Sequence, residues 1–150
     1  MKVLFICTAN VCRSPLAEGY LKHLLIQNPL PDVQVESAGV IALRGSSAYE
    51  CAVEVAKQTG FDLKGHTARQ ITAEMAEATD QILCMETWHA SRILDLNQGL
   101  ITKTMLLGNY HHSQKRLLQI PDPRSFTVPD TLEVFSLIQH SVEGLYKKLR

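Results

Sequence analysis

The chain has 150 residues, a size at which one compact domain is typical. Hydrophobic residues make up 45% of the sequence and charged residues 20%, which excludes disordered, collagen-like and coiled-coil chains. The 15 Lys and Arg residues balance the 15 Asp and Glu residues, so no overall basic charge favours nucleic acid or an anionic membrane. We expect a single globular domain over residues 1–150 in which any anion site is local.

No segment of the sequence suits a membrane helix or a secretion signal. The apolar run at the N-terminus covers only five residues, Val3 to Cys7, which is too short for the core of a signal peptide. No run approaches the roughly 18–20 apolar residues of a membrane span. The four cysteines are too few and too irregularly spaced for a disulfide framework or a paired zinc site. We therefore expect a cytoplasmic protein with free thiols and no membrane insertion.

The apolar pattern predicts strands that alternate with helices. Buried strands are predicted at Lys2–Ile6, Val33–Glu36, Gln81–Cys84 and Thr104–Leu107. Helices are predicted at Pro15–Gln27, Ala48–Thr59, Thr72–Ala78, Thr87–Leu96 and Thr131–Leu149. This alternation favours an α/β fold, a small doubly wound domain with about four parallel strands and helices on both faces. Ligands bind such sheets beyond the carboxyl ends of the strands, so we expect the chemistry in the turn after the first strand.

That turn, from Cys7 to Ser14, combines an anion cradle with a nucleophile. Ser14 is a typical helix N-cap and Pro15 suits the first helical turn. A strand–loop–helix turn points successive backbone N–H groups at one spot, where they bind an anion and favour a thiolate at Cys7. Arg13 can bind two oxygens of a tetrahedral dianion through its planar guanidinium, and Ser14 can hydrogen-bond the sulfur. The alternative is that Cys7 is simply a buried residue at a strand end.

A thiolate that attacks phosphorus needs an acid to protonate the departing oxygen, and Asp122 is our candidate. The connection between the last strand and the last helix is long, and such loops are usually functional or disordered. Within it, Pro121 and Pro123 flank Asp122 and stiffen the segment that presents the carboxyl group. The same Pro-Asp-Pro sequence is also ordinary turn chemistry, so this interpretation stays open at this point.

The segment Cys7-Thr-Ala-Asn-Val-Cys-Arg-Ser-Pro15, together with Asp122-Pro123, resembles the low-molecular-weight protein tyrosine phosphatases. Further similar segments occur in the same order at Ser37–Gly39, Gly65–Gln70 and Asp80–Met85, so the resemblance covers most of the chain. It is strongest to bacterial members that act on tyrosine autokinases of exopolysaccharide or capsule synthesis. The resemblance implies a phosphotyrosine protein as substrate, with a tyrosine autokinase as a candidate, and no cofactor. It leaves the oligomeric state open.

The resemblance also implies a role for each residue that matches the family motif. Cys7 would form a cysteinyl-phosphate, Arg13 would clamp the phosphate, and Asp122 would act as acid and later as base. The family's remaining phosphate-binding positions correspond to Thr8, Ala9, Asn10, Val11, Cys12 and Ser14. Those that hold the loop rigid correspond to Asn10, Ser14, Ser37 and His66. Ser37 and His66 have an alternative interpretation as ordinary strand-end and loop residues.

Four further expectations concern redox control and substrate choice. In the family, a thiol at the Cys12 position can form a reversible disulfide with the nucleophile, although Cys12 is equally consistent with a passive loop thiol. An apolar residue at the Val11 position resembles the family members specific for phosphotyrosine, whereas threonine there resembles those specific for phosphoarginine. Leu43 would form part of the pocket wall. An exposed Arg124 would either favour acidic residues beside the phosphotyrosine or merely solvate the loop.

Ala9 stands where the family usually has glycine, and a positive φ at this position would strain the loop by ~1–3 kcal/mol. Two rival functions also remain. A thioredoxin-coupled arsenate reductase would need a relay of thiols that Cys12 and Cys84 would have to supply. A non-catalytic phosphopeptide- or oxyanion-binding module would not need Asp122. We expect no metal site, because His111 and His112 have no spaced acidic or thiol partners.

Overall fold

The computed structural model describes residues 1–113 and 118–150, and these form a parallel sheet flanked by helices. Within the described residues the sheet has four strands in the order β2-β1-β3-β4. Their bounds are β1 Lys2–Cys7, β2 Gln34–Gly39, β3 Gln81–Cys84 and β4 Thr104–Leu106. All strand pairs are parallel, which confirms the predicted α/β fold class.

Five α-helices connect and cover these strands in the described part of the chain. They are α1 Arg13–Gln27, α2 Glu50–Thr59, α3 Ala73–Glu77, α4 Thr87–Leu96 and α5 Val128–Leu149. Two 3₁₀ turns, Gln98–Lys103 and Leu107–Tyr110, flank β4. None of the helices in residues 1–113 and 118–150 has the length and apolar composition of a membrane span.

The alternation of side chains along β1 separates two cores. Val3, Phe5 and Cys7 face a cluster built with helices α1, α2 and α5. Leu4 and Ile6 face a second cluster on the opposite side of the sheet, with α3 and α4. Both faces are therefore covered, as the near-continuous apolar sequence of β1 predicts.

Several predicted boundaries were wrong by a few residues. Helix α1 begins at Arg13 rather than Pro15, so the N-cap position falls on Cys12 and Ser14 lies inside the helix. Helix α5 begins at Val128 because Thr127 caps it, with the Thr127 hydroxyl oxygen accepting a hydrogen bond from the backbone N–H of Asp130. Strand β2 continues to Gly39, since it pairs with β1 as far as Cys7.

The strand register places the carboxyl ends of β1, β2 and β3 side by side. Cys7 lies opposite Gly39 in β2, and Ile6 lies opposite Cys84 in β3. The segments that follow these three strands therefore emerge at the same edge of the sheet.

Candidate active site

The loop after β1 is held by its backbone carbonyl groups. Six successive carbonyl oxygens, from Cys7 to Cys12, each accept a hydrogen bond from a group outside residues 7–12. In chain order the donors are Val40 N at 3.0 Å, Ile41 N at 2.9 Å, Leu43 N at 3.1 Å, His66 Nε2 at 2.7 Å, Tyr49 N at 2.9 Å and Leu16 N at 3.1 Å. The carbonyl groups of the loop therefore point outward and bind the segments around it.

This arrangement turns the amide hydrogens of the loop inward. In a planar trans peptide the N–H points away from the C=O of the same unit, so outward carbonyls leave inward N–H groups on the residues that follow. Among the hydrogen bonds of residues 1–113 and 118–150, none uses the backbone N–H of Thr8 to Cys12 as its donor. The loop therefore presents a concave array of N–H dipoles, which suits an anion.

Asn10 ties the loop to its surroundings. Its Nδ2 donates to Ser14 Oγ at 2.8 Å and to Ser37 Oγ at 3.0 Å, and its Oδ1 accepts from the backbone N–H of Arg69 at 3.0 Å. Asn10 is also the loop residue with a left-handed backbone, at φ 61°, a conformation that asparagine tolerates well. Ala9 does not have a positive φ, so the strain considered for that position does not arise.

Gly39 allows the loop to lie close against the end of β2. A Cβ atom at this position would lie 2.6 Å from the carbonyl oxygen of Thr8 and 3.0 Å from backbone atoms of Ala9 and Asn10. Backbone atoms cannot move aside as a flexible side chain can. Any larger residue at position 39 must therefore displace the loop.

The Cys7 thiol lies at the base of this array. It is 3% exposed, and its Sγ is 2.9 Å from Ser14 Oγ. Ser14 Oγ accepts the hydrogen bond from Asn10, so its own hydrogen is available to the sulfur. Ser14 therefore lies beside the sulfur, as predicted from the sequence, although it lies inside the helix and not at its N-cap.

Arg13 is 1% exposed and is bound on every side of its guanidinium. Its Nη1 donates to Glu86 Oε2 at 2.6 Å and to the carbonyl oxygen of Ile120 at 2.8 Å. Its Nη2 donates to Thr8 Oγ1 at 3.1 Å, and its Nε lies 3.0 Å from Asp122 Oδ1. The Glu86 and Ile120 contacts orient the guanidinium, because they fix one end of a planar fork.

The buried side chain of His89 forms a hydrogen bond with Thr8. The Nε2 of His89 lies 2.9 Å from Thr8 Oγ1, and its Nδ1 accepts the backbone N–H of Glu86 at 3.0 Å. Burial lowers the pKa of His89 to about 4, with the Arg13 charge adding to the shift and Glu86 opposing it. His89 is therefore neutral at pH 7, and its proton sits on Nε2, where it donates to Thr8. Since Thr8 Oγ1 accepts from both His89 and Arg13, its own hydrogen is left to donate.

Asp122 reaches the site from the segment before α5. Ile120, which is fully buried, anchors that segment by donating its backbone N–H to the carbonyl oxygen of Met85 at 2.8 Å. Two residues later, the Asp122 side chain is 55% exposed while it contacts Arg13. The carboxylate thus sits at the mouth of the site and retains room to move.

A cavity of about 80 Å³ opens above the sulfur, enough for two or three water molecules or one tetrahedral oxyanion. Its lining comprises Cys7, Thr8, Ala9, Val11, Cys12, Arg13, Tyr49, Asp122 and Phe126. The rings of Tyr49 and Phe126 meet edge to face, with centroids 4.8 Å apart. Two apolar rings at the mouth of an anion site suit a flat aromatic group that carries the anion.

Two predicted wall residues do not line this cavity. Leu43 donates its backbone N–H to Ala9, but its side chain is 45% exposed. Arg124 is exposed and lies outside the lining. Tyr49, just before α2, and Phe126, just before α5, occupy the wall instead.

All four cysteines are free and buried, but their surroundings differ. Cys12 lines the cavity with Cys7, and burial raises the pKa of its thiol, with Cys51 and Cys7 adding to the effect. Cys84 is 0% exposed and faces the core opposite to Cys7, so the sheet separates the two sulfurs. Cys84 therefore cannot serve the thiol relay that an arsenate reductase would need.

Sequence reasoning missed several residues of this site. Glu86 and His89 follow β3, Tyr49 and Phe126 come from two other connections, and Glu18 accepts from Ser37 Oγ at 2.5 Å. Glu86 could have been found, because it comes directly after a strand whose carboxyl end lies at the site edge. The aromatic residues carry no such signal, since no spacing relates them to Cys7.

Comparison with known proteins identifies the family. The family model described as low molecular weight phosphotyrosine protein phosphatase matches residues 2–150. The low molecular weight protein-tyrosine-phosphatase Etp of Escherichia coli K12 is 35% identical over 98% of this chain and 93% of its own. The structure of Vibrio vulnificus Wzb in complex with benzylphosphonate has a TM-score of 0.86 at 33% identity, covering 98% of this chain and 97% of that one. The structure of the YwlE arginine phosphatase from Geobacillus stearothermophilus has a TM-score of 0.87 at 29% identity, and the match covers 99% of this chain and 92% of that one. The chain belongs to the low molecular weight phosphotyrosine protein phosphatase family.

Proposed function

We propose that this protein hydrolyses phosphotyrosine in proteins through a cysteinyl-phosphate on Cys7. The observation that carries the proposal is the row of six outward carbonyls, which leaves the loop N–H groups facing the cavity above the sulfur. An array of this kind stabilises both a thiolate and the equatorial oxygens of a phosphoryl group.

Substrate binding requires Asp122 to leave the Arg13 side chain. The Nη1 of Arg13 is occupied by Glu86 and Ile120, so a phosphate can reach only the edge formed by Nε and Nη2. In this structure the Asp122 carboxylate contacts that edge at Nε. Incoming phosphate displaces it, and the exposed Asp122 moves to the leaving-group side.

The reaction then proceeds in two displacements. Cys7 Sγ forms a bond to phosphorus while the bond to the tyrosine oxygen breaks, and protonated Asp122 delivers a proton to that oxygen. A water molecule next attacks the phosphorus, Asp122 accepts its proton, and the S–P bond breaks. The sulfur leaves as a thiolate that accepts a hydrogen bond from the Ser14 hydroxyl, and orthophosphate is released.

The aromatic lining supports phosphotyrosine as the substrate. Val11 lines the cavity, and Tyr49 and Phe126 form its mouth, so the phenyl ring of phosphotyrosine is enclosed by apolar surface. A phosphoserine side chain would not bring its phosphate down to Cys7. Phosphoarginine is the closest rival among phosphorylated residues, because the protein shares its fold with a relative described as an arginine phosphatase.

We further propose a bacterial tyrosine autokinase of exopolysaccharide synthesis as the physiological substrate, on the basis of the similarity to Etp and Wzb. A cytoplasmic location fits this proposal, because thiols are kept reduced in the cytosol and all four cysteines are free. The Cys7–Cys12 disulfide also remains a proposal. Cys12 lines the same cavity as Cys7, which supports it.

One purified sample tests the function against its rivals. Phosphotyrosine, phosphoserine, phosphoarginine and arsenate are compared as substrates in the presence of a chelator, together with Cys7→Ser and Cys51→Ser variants. We expect selective hydrolysis of phosphotyrosine that Cys7→Ser abolishes and Cys51→Ser retains. Undiminished turnover by Cys7→Ser would refute the mechanism, and preference for another compound would refute the substrate assignment.

A further inference from the structure

Three histidines outside the active site lie together. His111 and His112 follow the 3₁₀ turn Leu107–Tyr110, and His140 lies on α5. One ring nitrogen of each lies within 4.8 Å of the others. The ring centroids are 4.3 Å apart for His111 and His112, 5.6 Å for His111 and His140, and 4.9 Å for His112 and His140. The prediction of no metal site rested on the lack of spaced acidic or thiol partners for His111 and His112, whereas α5 supplies a histidine.

The fold itself brings the turn and the helix together. A Cβ atom at Gly144, one helical turn after His140, would lie 1.9 Å from the carbonyl oxygen of Tyr110. Because glycine lets α5 touch the backbone of the turn, the residue one turn earlier lies beside the two that follow Tyr110. The three rings are therefore placed by backbone packing.

A hydrogen bond already orients the His140 ring for metal binding. Nδ1 of His140 lies 2.8 Å from the carbonyl oxygen of Ser136, to which it can only donate. In the neutral ring this leaves the lone pair on Nε2. Nδ1 of His111 accepts the Ser113 N–H at 3.2 Å, so the lone pair of this ring lies on Nδ1, and a metal that binds there displaces the Ser113 contact. An outer hydrogen bond like that of His140 is typical of metal-binding histidines.

The donor set selects the kind of metal. The cluster consists of imidazoles alone, which suit Zn²⁺, Ni²⁺ and Cu²⁺, whereas Ca²⁺ and Mg²⁺ require oxygen ligands. Three histidines and a water complete a tetrahedral zinc site with Zn–N distances of about 2.0–2.1 Å. The nitrogens must approach one another by rotation about side-chain bonds, which the partial exposure of the rings permits. We propose that His111, His112 and His140 bind one Zn²⁺ ion.

The ion would connect two parts of the chain outside the active site. None of the three histidines lines the cavity above Cys7. His111 and His112 begin the connection that later carries Asp122, and His140 belongs to the helix that follows it. Zinc would therefore tie the start of this connection to α5 and stabilise the folded state, because only that state brings all three ligands together.

The test uses the full chain in a Cys7→Ser background, so that the active-site sulfur cannot bind the metal. Zn²⁺ binding is measured by titration calorimetry, and Co²⁺ is used as a spectroscopic probe of tetrahedral coordination. The cluster variant is His140→Ala, and the matched control is His23→Ala, a histidine on α1 outside the cluster. Removing a group that merely orients a metal ligand costs about 10–100-fold in affinity, so we expect loss of a ligand to cost more.

The expected result is one Zn²⁺ per chain in the background protein and in His23→Ala, with an intense visible Co²⁺ spectrum. His140→Ala should bind at least ~100-fold more weakly, and Zn²⁺ should raise the melting temperature of the control but not of this variant. Equal Zn²⁺ affinity in His140→Ala and His23→Ala would overturn the proposal. If His140→Ala fails to fold, the same comparison is made with the exposed His112→Ala, and the same outcome decides.

Discussion

His89 should make the stability of this protein sensitive to acid. The side chain is fully buried, and its pKa of about 4 lies well below the ordinary histidine value of 6.5. His89 takes up a proton more readily in the unfolded chain than in the folded one. The contribution of neutral His89 to the free energy of unfolding is therefore fully present above pH ~6.5 and is lost as the pH falls toward 4. Protonation of Nδ1 would also remove the acceptor for the Glu86 N–H and place a cation beside Arg13.

Linkage between the two pKa values gives the magnitude. Between pH 7 and pH 5, titration of this one histidine should lower the free energy of unfolding by about 2 kcal/mol. His89→Gln keeps a donor and an acceptor on the side chain but cannot take up the proton. The difference in stability between wild type and His89→Gln should therefore shift by about 2 kcal/mol in favour of the variant over the same range.

Urea unfolding followed by circular dichroism at several pH values measures this difference. His23→Gln is the matched control, because His23 on α1 is only partly buried and lies outside the site. Other acid-sensitive groups are common to all three proteins and cancel in the comparison. If the difference between wild type and His89→Gln stays constant to within ~0.5 kcal/mol from pH 7 to pH 5, then His89 is not held neutral by the fold and the reasoning is wrong.

Three further substitutions test the site. Asp122→Ala should lower kcat for phosphotyrosine by ~10²–10⁴-fold and leave stability almost unchanged, and an unaffected kcat would exclude it as the acid. Arg13→Lys keeps the charge but loses the planar fork, so kcat/KM for phosphotyrosine should fall by at least ~10²-fold, whereas near wild-type turnover would show that charge alone suffices. Gly39→Ala should reduce both activity and stability, the latter by about 1–3 kcal/mol as for other overpacked sites. Gly65→Ala is its control, since a Cβ there meets nothing within 4 Å, and equal effects of the two would contradict the steric argument.

The succession of strands and helices along the chain could be predicted because local sequence patterns determine it. The apolar run of β1 and the helical spacing of α5 are each visible within one segment of sequence. Boundaries were less predictable where tertiary contacts set them. Strand β2 runs on to Gly39 only because β1 continues beside it, and α5 starts early because of the Thr127 cap.

The active site shows the same division between local and distant information. Cys7, Asn10 and Arg13 belong to one continuous segment, so their proximity follows from the sequence. Glu86 and His89 come from the end of β3, and their contacts with Arg13 and Thr8 depend on strand order, which no residue spacing encodes. His140 is a clearer case, since only the packing of α5 places it beside His111.

Orthophosphate, the reaction product, should itself bind the loop whose carbonyl groups point outward. Because folding alone arranges the N–H groups, the loop should bind any small tetrahedral oxyanion without an aromatic group attached. Orthophosphate released by one turnover should therefore compete with the next substrate molecule. In a cell rich in inorganic phosphate, the working rate of the enzyme would then follow the phosphate level as well as the amount of phosphoprotein.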